Sequence, residues 1–583
     1  MKTQQAVHVA RTKSRRVNKA GETVEYESVL LRRSYREGAK VRHETLANLA
    51  ALPEHAVESL RASLAGKTLI EATAGLEVTR SLPAGHVDAV YRMARGLGFE
   101  ALLGPACRER DIVMGLLAAR ICAPASKLAS LQWFEDTTLG AELGPVSTDE
   151  AYRAMDWLLA RQPGIESALG RRYLGPAANP RQLALFDLSS SWVTGHHNPL
   201  AARGYSRDRK KGVEQIEYGM LATSDGIPIA VRVVPGNTAD PAAFTAIAAE
   251  IKDLAGVAEM VMVGDRGMIT SARIRALAEV GGLSWVTCLR APAIQELAAD
   301  NGPLQMSLFD QQDLAEISHP DYPGERLIAC RNPALAAERG RKRTELLAAT
   351  EDELATIAAA VAAGRTRGAG PIGVRVGKVI NHYNMAKHFT LDITDSTFTY
   401  SRRDEAISTE AALDGIYVIR TCVPADRLDA AETVRVYKSL ANVEKIFRSL
   451  KSVDLRIRPI HHHTEDRTRA HVFLCMLAGH LTWHLRQAMA PLTFTDEDRP
   501  VPENPVTTAV RSPQSHTKAS TRTLNNGDPA RSFQTLLNHL ATRTRNTLRA
   551  TGTTATFDLT ALPTPTQRQA LELIDQHINT YRK

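Results

Sequence analysis

Three stretches, RQLALFDLSSSWV at 181–193, GVEQIEYGMLATSDGIPIAVRVVPGN at 212–237 and AEMVMVGDRG at 258–267, decide how this chain folds. Each is rich in apolar and β-branched residues and is bounded by turn signals such as SDG and PGN, which marks strands. Between the second and third, DPAAFTAIAAEIKDLAG (240–256) reads as a helix. After the third, TSARIRALAEVGG (270–282) reads as another helix and LSWVTCLR (283–290) as a short strand. Three consecutive strands with tight turns, then helix–strand alternation, predict an α/β fold: a mixed sheet flanked by helices.

Two carboxylates stand out in these strands. Asp187 interrupts the apolar run LALF–LSSSW, where a carboxylate is costly to desolvate unless something positive meets it. Asp265 ends the apolar strand VMVG and leads into RGM. Asp208, Asp225 and Asp240 are weaker rivals, since Asp225 in SDG and Asp240 in NTAD are turn chemistry. A third acid, Glu444, lies on TVRVYKSLANVEKIFRSLKS (433–452), which reads as one long helix. At about 100° per residue, Val436, Leu440, Val443, Ile446, Phe447 and Leu450 share a broad apolar face. Tyr437, Glu444, Arg448 and Lys451 form a stripe along its border. Such a helix lays its oily side on the sheet and holds Glu444 half-buried at the seam, although a snorkelling charged rim would give the same pattern. Three converging carboxylates repel one another unless divalent cations are present, and their oxygens suit Mg²⁺ or Mn²⁺ rather than zinc. Arg448 and Lys451 would then hold phosphates entering the site.

Outward from the sheet, the pattern suggests these units: a β-hairpin module at 1–66, turning at EGAK; a helical unit at 67–178, readable as DNA-binding or as packing alone; a core at 179–291 and 413–490; an insertion at 292–412; a linker at 491–530; and a small appendix at 531–583. The insertion shows short β segments (ERLIAC, FTLDIT, FTYSR) around a charged helical stretch and is expected to be β-rich. Arg207, Arg209, Lys210 and Lys211 form a basic loop beside the first acid's strand, equally readable as a phosphate clamp or a solvated tip. His461, His462 and His463, with His471 and Cys475, match no common zinc framework. Trp192 and Trp285 could stack on a base, though core packing is the commoner use.

Composition sets the outer limits. With 72 Lys and Arg against 64 Asp and Glu, the 583-residue chain carries +8, a modest pull towards a polyanionic partner. Six scattered cysteines without a C-x-x-C pair argue for reduced thiols in a cytoplasmic protein. No apolar segment near the start suggests a secretory signal, and VFLCMLAGHL (472–481) is too short to span a bilayer, so no membrane partner is expected.

The residues resemble the DDE transposases of bacterial insertion sequences, in the cut-and-paste branch with a Tyr–Glu–Lys signature and a β-rich insertion before the glutamate. The first aspartate sits in FDLSS and the second in VGDRGM. The signature falls on Tyr437, Leu440, Glu444 and Lys451 of YKSLANVEKIFRSLK. Leu440 departs from the Arg often found there, which removes one expected DNA contact. GYSRDRKKGVEQIEYGML, VPGNTAD, DGIYVIRT and RTRAHVFLCML are similar as well, so the likeness runs from about 20 to 490. It implies a ribonuclease-H-like core in which Asp187, Asp265 and Glu444 hold Mg²⁺, with Mn²⁺ able to substitute. The reaction implied is cleavage at transposon ends and strand transfer into target DNA. Double-stranded DNA and a homodimer in a synaptic complex follow as partners, with a nucleoid-associated location. A ribonuclease-H-like endonuclease, or a decayed transposase that only binds DNA, are the alternatives.

Overall fold

The computed structural model describes residues 6–17, 21, 23–37, 40–67, 75–176, 178–179, 183–204, 210, 212–238, 247, 249–250, 252–253, 259–267, 269–299, 302–551 and 554–581. Its centre is an eight-stranded sheet, whose strands are numbered here in chain order. They are β1 (Leu183–Trp192), β2 (Gln215–Ala222), β3 (Pro228–Pro235), β4 (Met260–Val263), β5 (Leu283–Cys288), β6 (Leu314–Ile317), β7 (Arg326–Arg331) and β8 (Ile416–Thr421). Their spatial order is β6-β7-β8-β5-β4-β1-β2-β3. β1, β2 and β3 form an antiparallel meander, β4 runs parallel to β1, and β5 runs parallel to β4. β4 is buried along its whole length, as a parallel strand covered on both faces must be. The SDG turn expected between β2 and β3 is present: Gly226 takes φ +90°, and a Cβ there would lie 3.0 Å from Asn442. That close approach seats the turn against the helix that carries Glu444.

The helical unit is not separate from the core. Helix Arg108–Cys122 is buried all round, and its Ile112 and Leu117 join Leu185, Phe186, Val261 and Phe473 in one apolar cluster. Helix Glu465–Ala488 is buried for most of its length and packs on both β3 and the bundle, so the division expected near residue 178 is absent.

The expected insertion differs in extent and in kind. Its first strands, β6 and β7, extend the core sheet, because Leu327, Ala329, Ile416 and Val418 alternate onto a shared apolar cluster with Ile294 and Leu297. The remainder is mainly helical rather than β-rich: helices Pro333–Ala362, Ala369–Tyr383 and Asp404–Ala412 surround a two-stranded hairpin, Phe389–Ile393 with Phe398–Arg402. It has its own core of Leu354, Ile357, Ile372, Val376, Phe389 and Phe398.

Residues 491–530 are ordered rather than a free linker, since side chains satisfy the backbone. Lys438 Nζ donates to the carbonyls of Val506 (2.7 Å) and Thr507 (2.8 Å), and Asp496 accepts from Ser512. The last fifty residues are also more than an appendix. Helices Phe533–Ala541 and Pro565–Tyr581 pack against helix Gly85–Gly96, within a compact unit formed by Pro83–Arg543 and Pro563–Lys583.

The other compact unit comprises Met1–Leu82 and Thr544–Leu562. It contains an antiparallel sheet of Ala6–Val17, Thr23–Glu37 and Lys40–Asn48, one strand more than the expected hairpin; Glu37 pairs with Lys40, and the two central residues of the expected EGAK turn lie outside the described residues. In its second sheet the C-terminal hairpin, Thr544–Ala550 with Thr556–Thr560, adds to strand Leu76–Pro83.

Candidate active site at the ends of the central strands

Strand register brings the first two acids together. Leu185 of β1 pairs with Val263 of β4 in a parallel ladder. Asp187 and Asp265 each follow their partner of that rung by two residues, Asp187 within β1 and Asp265 just past the end of β4. Asp187 is half-buried in a strand otherwise buried as far as Trp192, and its Oδ1 accepts the Leu188 N–H at 2.8 Å. Asp265 is exposed, and its Oδ1 accepts the Gly267 N–H at 3.0 Å. The following helix starts only at Ser271, so Asp265 opens a short loop rather than a helix.

The third acid lies on a helix covering the same face. Helix Leu440–Arg448 buries Val443, Ile446 and Phe447 and leaves Glu444 exposed. Phe447 packs edge-on against Tyr218 at 5.8 Å, and the Tyr218 hydroxyl meets Ser191 Oγ at 3.0 Å. Tyr218 is paired across the ladder with Ser189. Alternation therefore puts Phe447 over the face of β1 that carries Asp187, Ser189 and Ser191. The expected single long helix is interrupted: helix Ala430–Lys438 stops at Ser439, whose Oγ bonds the Val436 carbonyl, and a π turn follows at Ser449–Val453. Such turns shift the helical phase by part of a residue step.

These breaks redistribute the predicted stripe. Tyr437 reaches the end of β5, where its hydroxyl bonds the Cys288 thiol close to Asp265 and Arg266. Burial, and then the neighbouring Cys288, raise its ionisation far above the usual tyrosine range. Lys451 lies half-buried within the π turn. Arg448 is exposed and lines a cavity behind the helix, together with Asn442 and Lys445. Leu440 is partly buried against the main core, as its place on the apolar face requires. Among the described residues, no three His, Cys, Asp or Glu side chains converge tightly enough to grip an ion. The helix of Glu444 packs over the face of β1 that carries Asp187, but among the described residues the three acids do not form a closed ligand set. Their donors are all carboxylate oxygens, which suit a hard divalent cation.

Of the basic loop, Arg207, Arg209 and Lys211 lie outside the described residues, as do Asp208 and Asp240. Lys210 Nζ sits 3.6 Å from the Trp192 ring and Arg458 Cζ 4.7 Å from it, so the indole meets cations, not a base. Trp285 is a buried strand residue. Asp225 occupies its turn, with its carbonyl accepting from Trp483 Nε1 at 3.2 Å. The histidine–cysteine group is structural. His471 Nε2 donates to the Ile457 carbonyl at 3.1 Å, and its Nδ1 lies 3.0 Å from buried Lys127 Nζ. Burial lowers the His471 pKa well below the usual imidazole range and that of Lys127 to about 7.

Sequence patterns miss a cleft of about 420 Å³ beside Asp265. It is lined by Arg266, Cys288, Arg339, Lys342 and Tyr417, among others. Its acids Asp414 and Glu410 are already engaged by Arg343 and Lys387. The cleft is therefore cationic, and only the position of Arg266 next to Asp265 hinted at it.

Residues 186–479, slightly more than half the chain, match the family model described as a transposase DDE domain. Residues 12–74 match the N-terminal domain of IS1634 family transposases. No curated protein matches the chain. Among solved structures, a cryo-EM structure of a piggyBac transposase synaptic complex with hairpin DNA aligns at 8% identity, covering 78% of each chain, with a TM-score of 0.33.

Proposed function

The chain belongs to the DDE transposases of insertion sequences, and from that premise we propose that it cuts insertion-sequence ends and joins them to target DNA, using divalent cations held by Asp187, Asp265 and Glu444. The observation that carries this reading is the Leu185–Val263 rung, which sets the two aspartates side by side beneath the helix of Glu444. The sheet adds support. Its β3-β2-β1-β4-β5 portion, an antiparallel meander followed by two parallel strands, supports reading the sheet as a ribonuclease-H-like core.

When bound, Mg²⁺, or Mn²⁺ in its place, supplies Lewis-acid activation of the attacking water or 3′-OH and of the leaving oxygen. The protein's own part is orientation and charge. The Leu188 and Gly267 amides fix the rotamers of the two aspartates. Tyr437, held neutral and tied to Cys288, borders Asp265 without adding charge. Arg266, and Lys451 on the glutamate side, stand where phosphates of the DNA strand would approach. Lys210 and its neighbours Arg207, Arg209 and Lys211 would meet the flanking duplex. Double-stranded DNA is the substrate, and pairing of two ends calls for a homodimer in a synaptic assembly.

The test is strand transfer in vitro with a duplex carrying the terminal repeats and Mg²⁺. Activity is expected to vanish in Asp187→Ala and Glu444→Gln and on chelation by EDTA. Wild-type rates in either variant would sink the mechanism.

A further inference from the structure

A second cavity, of about 400 Å³, lies behind the helix that carries Glu444. Its walls come from that helix (Asn442, Lys445, Ile446, Arg448), from the π turn (Ser449, Val453), from helix Glu465–Ala488 (Gly479, Thr482, Trp483, Arg486, Gln487) and from the Asp225–Gly226 turn. The volume is that of a small-molecule site.

The polar atoms of its lining are incompletely used. Thr482 is 2% exposed, and its Oγ1 has no hydrogen-bond partner among the described residues. Arg486 spends one terminal nitrogen on Asp454 Oδ1 at 2.5 Å, while its buried Nε has no hydrogen-bond partner among the described residues. Buried polar atoms of this kind are uncommon and costly unless something meets them. Asp454, the buried acid of the lining, is already satisfied by Arg486 and by Ser449 Oγ at 2.5 Å. The other acid, Asp225, is exposed at the rim. Among the described residues the Lys445 ammonium donates to Asn442 Oδ1 at 3.4 Å, and Arg448 adds a second cation to the lining. Trp483 contributes an indole held by its bond to the Asp225 carbonyl.

Cations and unused donors share this cavity with an aromatic ring and the apolar Ile446 and Val453, a lining that fits a ligand with an anionic group joined to a flat apolar one. We propose that this cavity binds a nucleotide, with the phosphate on Lys445, Arg448 and Arg486 Nε and the base against Trp483. This assigns Arg448 to the cavity and not to the acid stripe. The nucleotide is either free or the terminal unit of a single strand, since both present the same groups. Its occupant would bridge the glutamate helix, the π turn and helix Glu465–Ala488, and so bias where Glu444 stands.

The binding is independent of strand transfer and is read without it. The full-length protein is titrated with AMP, with inorganic phosphate and with a short single-stranded oligonucleotide, following tryptophan fluorescence and calorimetry. Saturable AMP binding is expected, with its fluorescence change lost in Trp483→Phe. Lys445→Ala should weaken calorimetric affinity by about 10-fold, the value of one charge-assisted contact, with an unchanged melting curve. Oligonucleotide binding that is stronger than AMP and equally dependent on Lys445 supports the site and names its source as a strand end. Phosphate binding as tightly as AMP overturns the nucleotide assignment. No saturable binding of any of the three, or affinity unchanged in Lys445→Ala, overturns the site itself.

Discussion

The two aspartates and the glutamate are placed by different physics. Asp187 rides on β1 and Asp265 on the backbone that leaves β4 two residues after their shared rung, so their relative position follows from backbone register. A one-residue slip would throw either acid to the opposite face and unpack the sheet with it. Glu444 is held by side-chain packing and one Asn442–Ser224 hydrogen bond, on a nine-residue helix interrupted before by Ser439 and after by a π turn. Backbone register fixes the first pair, whereas the helix leaves the third acid adjustable. That division suits a site whose ligands are not closed among the described residues.

The largest effects should expose the contrast. Replacing Asp187 or Asp265 by Asn is expected to lower strand transfer by about 10³-fold or more, as for other residues acting as one catalytic unit. Changes of length separate the two modes: Asp187→Glu should cost as much as Asp187→Asn, while Glu444→Asp should retain measurable activity because its helix can shift. Equal losses for the two length changes would erase the distinction. Next in size, Phe447→Ala removes the ring that seats the helix against Tyr218 and should cost about 3–5 kcal/mol in denaturant unfolding. A loss below about 1 kcal/mol would mean the helix is held some other way.

A third effect concerns the loop beyond the π turn, whose Ile457 carbonyl accepts from His471, itself beside Lys127. Burial holds the Lys127 pKa down at about 7, against an ordinary 10.5. Between these values the unfolded chain binds more protons than the folded one, so stability contributed here rises with pH across that window. Lys127→Met should therefore flatten the pH dependence of unfolding between about pH 7 and 10. An unaltered slope would show that Lys127 is solvated. Smallest is Tyr437→Phe, which loses one weak bond to Cys288 and should cost about 1 kcal/mol of stability, read by the same unfolding titration.

Local patterns carried the central strands. The runs around Asp187 and Asp265 announce themselves because a buried strand cannot hide a carboxylate, and the phase of Val443, Ile446 and Phe447 was enough to lay their helix on the sheet. What stayed illegible depends on distant pairing or on one backbone torsion. β6 and β7 are only four and six residues long, and β7 finds its partner β8 after the whole helical insertion. The pair of Lys127 and His471 spans 344 positions, and no spacing rule reaches that far. Ser439 breaks the helix with a residue that an ideal wheel passes over, which is why Tyr437 leaves the stripe and is found with Cys288.

The central claim is that all three acids hold the same cations. Mn²⁺ binding, measured by electron paramagnetic resonance on the full-length protein with its end DNA, tests it most directly. The account predicts saturable binding that falls away in Asp187→Asn, in Asp265→Asn and in Glu444→Gln alike. Mn²⁺ bound with undiminished affinity in any one of the three would contradict it.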